Sequence, residues 1–196
     1  MDEREIREEL KDCGIRLLRA GLVQGTWGNL SMRLDEQYMI VTPSGIDYRR
    51  LRPEDMVKVD IQSLQYEGEL KPTSEKGIHG GIYAARPEIN AVIHTHSKYC
   101  CVFAAARKPV PVEDDRLQPF FGSEVGLARY GLPGSEQLQK NTLDALGNNY
   151  GCILAAHGMV CAGKSLDEAF SLCRALEEYC RKYIESRYRE GERSWN

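Results

Sequence analysis

Residues 71–97, "KPTSEKGIHGGIYAARPEINAVIHTHS", constrain the fold more than any other stretch of this chain. A hydroxyl-bearing turn, Pro72-Thr73-Ser74, opens the segment. A helix is predicted from about Ser74 to Arg86, where Pro87 stops it. The run "AVIHTHS" follows almost at once and reads as a strand. On a strand, side chains at i and i+2 point to one face. His94 and His96 therefore project together, about 7 Å apart at Cα by the strand rise. A chain that must seat this helix against this strand is a mixed α/β protein.

The remaining segments agree. Residues 2–20 read as an amphipathic helix with Ile6, Leu10, Cys13 and Leu17 on one face, and Asp2 with Glu5 forms an N-cap signature. "GLVQGTWGNLSMRL" is a Gly-rich turn feeding a strand with alternating Leu30, Met32 and Leu34. "YMIVTPSG" is a strand ending in a turn, and "DMVKVDI" is another strand. "KYCCVFAAA" is a short helix. "SEQLQKNTLDALG" is a helix capped by Ser135 and stopped by Gly147. "GCILAAHGMVCAG" reads as one or two buried strands. The last helix opens on a capping box, Ser165 to Glu168, and buries Leu172, Leu176, Tyr179 and Tyr183. Its mixed-charge end, "RKYIESRYREGER", reads as a solvated helix terminus. There is no repeat, linker or low-complexity segment.

Composition narrows the partners. A chain of 196 residues suits one domain spanning 1–196. A net charge of −3 gives no basic field for nucleic acid. The start, "MDEREIREEL", is no signal peptide, and no apolar run reaches membrane length. The count of seven cysteines is odd and contains no C-x-x-C pair, which suits buried reduced thiols in a cytoplasmic protein.

Of the four histidines, His94 and His96 can converge on one ion. Catalytic zinc commonly takes three protein ligands and keeps one position open. His157, at the end of the apolar strand "GCILAA", is the natural third. The plainer alternative is a pair of hydrogen-bonded core histidines. Glu75 and His79 fall at i, i+4 and share a helix face. Glu75 reads as a fourth ligand, a general base, or a first-turn glutamate that suits the helix dipole. On spacing alone the dipole reading stands first, and His79 reads as packing. Three turns, "GTWGN" (25–29), "TPSG" (42–45) and "PTSE" (72–75), offer hydroxyls and backbone N–H groups that together suit a phosphate. Such residues also make ordinary turns.

In order and spacing, "GLVQGTWGNLSMR", "IVTPSGIDY", "LKPTSEKGIHGGIYAARPEINAVIHTHS" and "ILAAHGMV" resemble the class II, zinc-dependent aldolase/adducin family, most of all its fuculose-phosphate aldolase branch. The likeness covers about residues 6–185. It implies a three-layer α/β/α sandwich with a mostly antiparallel central sheet. It also implies a homotetramer with sites between subunits. By position, His94, His96 and His157 match the family's zinc ligands, one Zn2+ per subunit or another divalent metal in its place. Glu75 matches the acid/base carboxylate. Thr26, Gly28, Asn29, Ser44, Gly45, Thr73 and Ser74 match the phosphate-binding set, and His79 matches a family histidine that is not a ligand. The implied reaction cleaves a ketose 1-phosphate to dihydroxyacetone phosphate and an aldehyde through a metal-stabilised enediolate.

The loop "PVEDDRLQPFFG" departs from the pattern. It lacks the tyrosine that fuculose-type relatives use for proton transfer, and Tyr183 or Tyr188 stand as substitutes. The same fold also hosts epimerases, dehydratases and decarboxylases acting on sugar phosphates, for which Asp114 or Asp115 would be an acid/base, and non-enzymatic adducin-like modules.

Overall fold

The computed structural model describes residues 1–189. The first helix, α1 (Glu3–Arg19), begins as its sequence dictates. The Asp2 carboxylate accepts from the Glu5 N–H at 2.8 Å, and the Glu5 carboxylate accepts from the Asp2 N–H at 2.8 Å. Strands β1 (Asn29–Arg33), β2 (Tyr38–Val41) and β3 (Val57–Asp60) follow, with a 3-10 turn at Pro53–Asp55 before β3. Then come α2 (Lys76–Ala85), β4 (Ala91–Thr95), α3 (Lys98–Ala106), β5 (Val110–Pro111), α4 (Gln118–Phe121) and β6 (Glu124–Ala128). The chain continues through α5 (Glu136–Leu146), β7 (Gly151–Leu154), β8 (Gly158–Gly163) and α6 (Leu166–Arg189). The residues of the mixed-charge end beyond Arg189 lie outside the described residues.

Among the described residues the strands form one sheet in the order β3-β2-β1-β4-β8-β7-β6-β5. Every neighbouring pair is antiparallel except β6 and β7. Strand alternation sends successive side chains to opposite faces. Ile93, Met159 and Cys161 join the core under α1, α3 and α6, with Leu10, Phe103 and Leu176. Val92, Val160 and Ala162 join the core under α2 and α5, with Ile82 and Leu138. Helices thus cover both faces, giving the three layers and the mostly antiparallel sheet that the resemblance implied.

Several boundaries differ from the sequence reading. Helix α2 starts at Lys76, not Ser74, so Glu75 is the residue before the helix, with φ −93° and ψ 14°. Glu75 and His79 are therefore not an i, i+4 pair inside one helix. Strand β4 ends at Thr95, leaving His96 just beyond it, and Leu34 lies past the end of β1. "GCILAAHGMVCAG" is two strands joined by a tight turn. The acidic loop holds the four-residue helix α4. Strand β6 carries Gly126 and shows little apolar alternation. It forms because β7 accepts it in parallel register.

No helix among the described residues is long and apolar enough to cross a membrane. All seven cysteines are free and, apart from the half-buried Cys101, buried, as their apolar surroundings suggested.

Candidate active site

Three strands place the site. In the β1–β4 register Asn29 pairs with His94 and Ser31 with Val92. Asn29 and Ser31 share strand parity, opposite to Leu30 and Met32, and so face the α2 layer. His94 shares parity with Val92 and faces the same way. Strand β8 brings in the third histidine. The β7–β8 turn holds Ala156 at φ 57°, a left-handed conformation that costs a non-glycine residue about 1–2 kcal/mol. Two backbone bonds fix that turn: Ala156 N–H donates to Ala104 O at 2.8 Å, and His157 N–H donates to Leu154 O at 3.0 Å.

The result is a convergent imidazole cluster. His94, His96 and His157 offer ligand atoms that all lie within 4.8 Å of one another. Their ring centroids are 4.8 Å, 4.8 Å and 5.0 Å apart. His94 Nδ1 lies 2.8 Å from the Met159 carbonyl, where only a donor N–H is satisfied. In the neutral ring this leaves Nε2 with its lone pair. That Nε2 faces His96 Nε2 at 2.9 Å and Glu75 Oε2 at 3.2 Å. Glu75 Oε1 faces His157 Nε2 at 3.4 Å. Lone pairs and a carboxylate directed at one point are the donor set a divalent cation takes. One further atom agrees: Glu75 Oε1 is buried without a hydrogen-bond partner. The residues fit a metal.

Electrostatics keep the ligands in the right state. Burial depresses the His94 pKa to about 3 against the pull of Glu75, so the ring is neutral and Nε2 is free to bind. Burial also lowers His96. Glu75 sits below the ordinary carboxylate range. Its burial, the largest influence, acts to raise it, while the Asn29 hydrogen bond, and the His94 and His157 rings only when they carry charge, act to lower it. Glu75 is 5% exposed, so it is a buried carboxylate inside the cluster and not a solvated first-turn glutamate. The helix-dipole reading of Glu75 gives way to a place in the site.

The three hydroxyl turns lie together beside Glu75. Pro43 bridges Pro72, Ser44 N–H donates to Lys71 O at 2.8 Å, and Thr73 N–H donates to Thr42 O at 3.0 Å. The Thr73 hydroxyl accepts from the Glu75 N–H at 3.3 Å. Tyr48 ties in the first turn, its hydroxyl donating to Gly28 O at 3.0 Å. Gly28 has φ +85°, and a Cβ there would stand 2.7 Å from the His94 carbonyl oxygen, so only glycine lets this loop approach β4. Thr26, Ser44, Gly45 and Ser74 are exposed and Gly28 is half-buried, whereas Asn29 and Thr73 are buried. Trp27, 61% exposed, stands beside His96 on the open rim, with ring centroids 6.1 Å apart.

Other expected residues fall elsewhere. Asp114 is bound to Arg116 at 2.6 Å on an exposed loop. Tyr183 packs against Phe103 and Tyr179, and Tyr188 is exposed. Sequence reasoning missed Ser31 and Tyr83, whose side chains meet behind Glu75, and Glu177, which holds the turn after His96. Only the strand parity of Ser31 could have signalled any of the three.

The family model for the class II aldolase and adducin N-terminal domain matches residues 8–184. A 5-methylthioribulose-1-phosphate/5-deoxyribulose-1-phosphate aldolase of Rhodospirillum rubrum is 34% identical over 178 residues, covering 91% of this chain and 80% of the relative. An L-fuculose phosphate aldolase of Escherichia coli O6:H1 is 30% identical over 184 residues, covering 94% and 85%. A solved L-fuculose 1-phosphate aldolase structure aligns with a TM-score of 0.89 at 32% identity, covering 94% of this chain and 87% of that one.

Proposed function

Because this chain belongs to the class II aldolase and adducin family and is an enzyme of the aldehyde-lyase kind, we propose that it cleaves a ketose 1-phosphate of the fuculose-phosphate type into dihydroxyacetone phosphate and an aldehyde. The observation that carries this reading is the buried Glu75 carboxylate set against three neutral-capable imidazoles and flanked by hydroxyl turns. His94, His96 and His157 would hold the metal, zinc, one per subunit. When bound, it supplies Lewis-acid stabilisation of the negative charge that develops on the substrate oxygens.

The chain's own residues do the rest. Glu75 Oε2 is tied by Asn29 Nδ2 at 3.0 Å, while Oε1 has no hydrogen bond. Oε1 is therefore the atom that removes a proton from the carbon beside the carbonyl in condensation and, in cleavage, gives that carbon a proton that balances the one lost from the C4 hydroxyl. Thr26, Gly28, Asn29, Ser44, Gly45, Thr73 and Ser74 anchor the phosphate and thereby fix that carbon against Glu75. The enzyme is a single cytoplasmic domain, residues 1–196, assembled as a homotetramer. Its sites lie between neighbouring subunits.

The test is release of dihydroxyacetone phosphate from a panel of ketose 1-phosphates, with and without a chelator, on protein of measured metal content. Chelator-sensitive release from one member, lost in Glu75→Gln, is the expected result. Full cleavage activity in Glu75→Gln would refute the assigned mechanism. No release from any member by metal-loaded protein would refute the aldolase reading and point to an epimerase, dehydratase or decarboxylase.

A further inference from the structure

Behind Glu75 runs a chain of four buried hydrogen bonds that the reaction as described does not use: Glu75 to Asn29 (3.0 Å), Asn29 to His79 (2.6 Å), His79 to Ser31 (2.6 Å) and Ser31 to Tyr83 (2.8 Å). Asn29 and Ser31 come from β1, His79 and Tyr83 from α2. His79 and Ser31 are fully buried, and Tyr83 is nearly so. Asn29, Ser31, His79 and Tyr83 have no buried side-chain polar atom without a partner, whereas Glu75 keeps Oε1 unpartnered.

The chemistry of the carboxylate orders every proton along this chain. Glu75 Oε2 can only accept, so Asn29 must present its amide N–H to it. Asn29 Oδ1 then faces His79 Nε2, which must carry the proton. His79 Nδ1 is left as an acceptor, so the Ser31 hydroxyl must donate to it. Ser31, its one proton spent, accepts from the Tyr83 hydroxyl. Each link has one consistent polarity, and all of them run toward Glu75. Such a fully satisfied buried network is rigid.

We propose that His79 is a positioning residue for the reaction: through Asn29 it clamps Glu75 Oε2 and so leaves Oε1 as the proton-exchanging oxygen. The role rests on the aldolase reading for what Glu75 does, while the tautomer it requires does not. Without the His79 N–H, the Asn29 carbonyl loses its donor and the amide is free to turn. The carboxylate is then held by the ion cluster alone, in more than one orientation. A ring that merely filled space would need no particular proton arrangement, and it would be replaced equally well by any side chain of similar volume.

Two measurements on the full-length metal-loaded protein test this. Long-range 1H–15N spectra of the imidazoles are expected to show His79 as the neutral Nε2–H tautomer, and its Nδ1–H tautomer would overturn the proposal. The second compares His79→Leu with His79→Gln, each of which loses the ring, while only Gln restores an N–H toward Asn29. His79→Leu is expected to lose about 10- to 100-fold in kcat, about 1.4–2.8 kcal/mol at the tenfold equivalence. His79→Gln is expected to stay within about fivefold of the wild type, with equal metal content for the two, while His79→Leu, which leaves the Asn29 carbonyl and the Ser31 hydroxyl without their partner, has the lower Tm. Equal losses in Leu and Gln, or no loss in Leu, would overturn the proposal. A wild type inactive on every ketose 1-phosphate would refute the aldolase reading instead, and the tautomer alone would then decide the clamp.

Discussion

Glu177 offers the sharpest test of how this fold holds its candidate metal site. It lies on α6, yet its carboxylate reaches the start of α3, immediately after His96. Oε2 accepts from the Ser97 hydroxyl at 2.8 Å and from the Cys100 N–H at 2.9 Å, and Oε1 accepts from the Tyr99 N–H at 2.8 Å. Ser97 makes no side-chain cap of its own. A carboxylate from a distant helix therefore does the work of an N-cap and also favours the helix dipole. Glu177→Ala strands two backbone N–H groups and a hydroxyl. Hydrogen bonds to a charged acceptor contribute about 1.5–3 kcal/mol each. Glu177 is only half-buried, so water replaces part of that sum. The expected loss is about 2–4 kcal/mol, which at about 2–4 °C per kcal/mol for a chain of this size lowers Tm by roughly 5–15 °C.

The assay is denaturant and thermal unfolding at fixed protein and metal concentration, with zinc affinity measured alongside. Metal affinity is expected to fall as well, because the freed turn no longer pins His96. Glu178→Ala is the control. Its carboxylate makes exposed pairs with Arg181 at 2.6 Å and Lys182 at 3.4 Å, and water screens such pairs so that they add little to stability. If Glu177→Ala costs no more than Glu178→Ala, the capping argument is refuted.

Other perturbations give equally definite expectations. A Cβ at Gly158 would stand 2.4 Å from Thr95 O, 2.9 Å from His96 Cδ2 and 3.2 Å from His94 Cε1, so Gly158→Ala should cost about 1–3 kcal/mol in unfolding and most of the metal affinity in calorimetric titration; normal metal affinity would refute that crowding. The Asp60 carboxylate, held by Ser63, Gln37 and Gln62, has its pKa lowered from 3.8 to about 2. Its contribution to stability is thus fully present above about pH 4 and lost as pH falls through about 2. Asp60→Asn should accordingly be less stable than wild type at pH 5, with the gap closing by pH 2 in acid-unfolding curves; a gap independent of pH would contradict this. Burial pushes the Cys13 thiol up to about 12 and raises Cys152 and the half-buried Cys101, and a hydrogen bond with Cys173, together with burial, raises Cys161. A thiol reagent at pH 8 should therefore react slowly with the native protein and label all seven cysteines only in denaturant; rapid native labelling of Cys13 would count against its burial.

The elements legible in the sequence are those whose signals are local. The Asp2–Glu5 capping box, the Ser135 cap and the Pro87 stop each act within a few residues, and each appears where expected. The His94 and His96 spacing carries its geometry along β4 and one residue past its end. The metal half of the candidate site could therefore be read from residue order. Strand β6 could not, because its formation depends on a neighbouring strand accepting it and not on its own side chains.

What only the tertiary structure decided is how distant residues meet. Spacing left Glu75 as a solvated first-turn glutamate. The fold buries it between Asn29, 46 residues away, and the histidines of β4 and the β7–β8 turn. Spacing likewise left His79 as packing, and the fold makes it a link in an ordered chain of protons. Glu177 reaches across about 80 positions to cap α3. The physical reason is one of range: caps, turns and strand alternation are set by forces acting over a few residues. The partner of a buried polar group is chosen by the sheet register, which brings β1, β4 and β8 side by side and obliges each donor and acceptor between them to find its match.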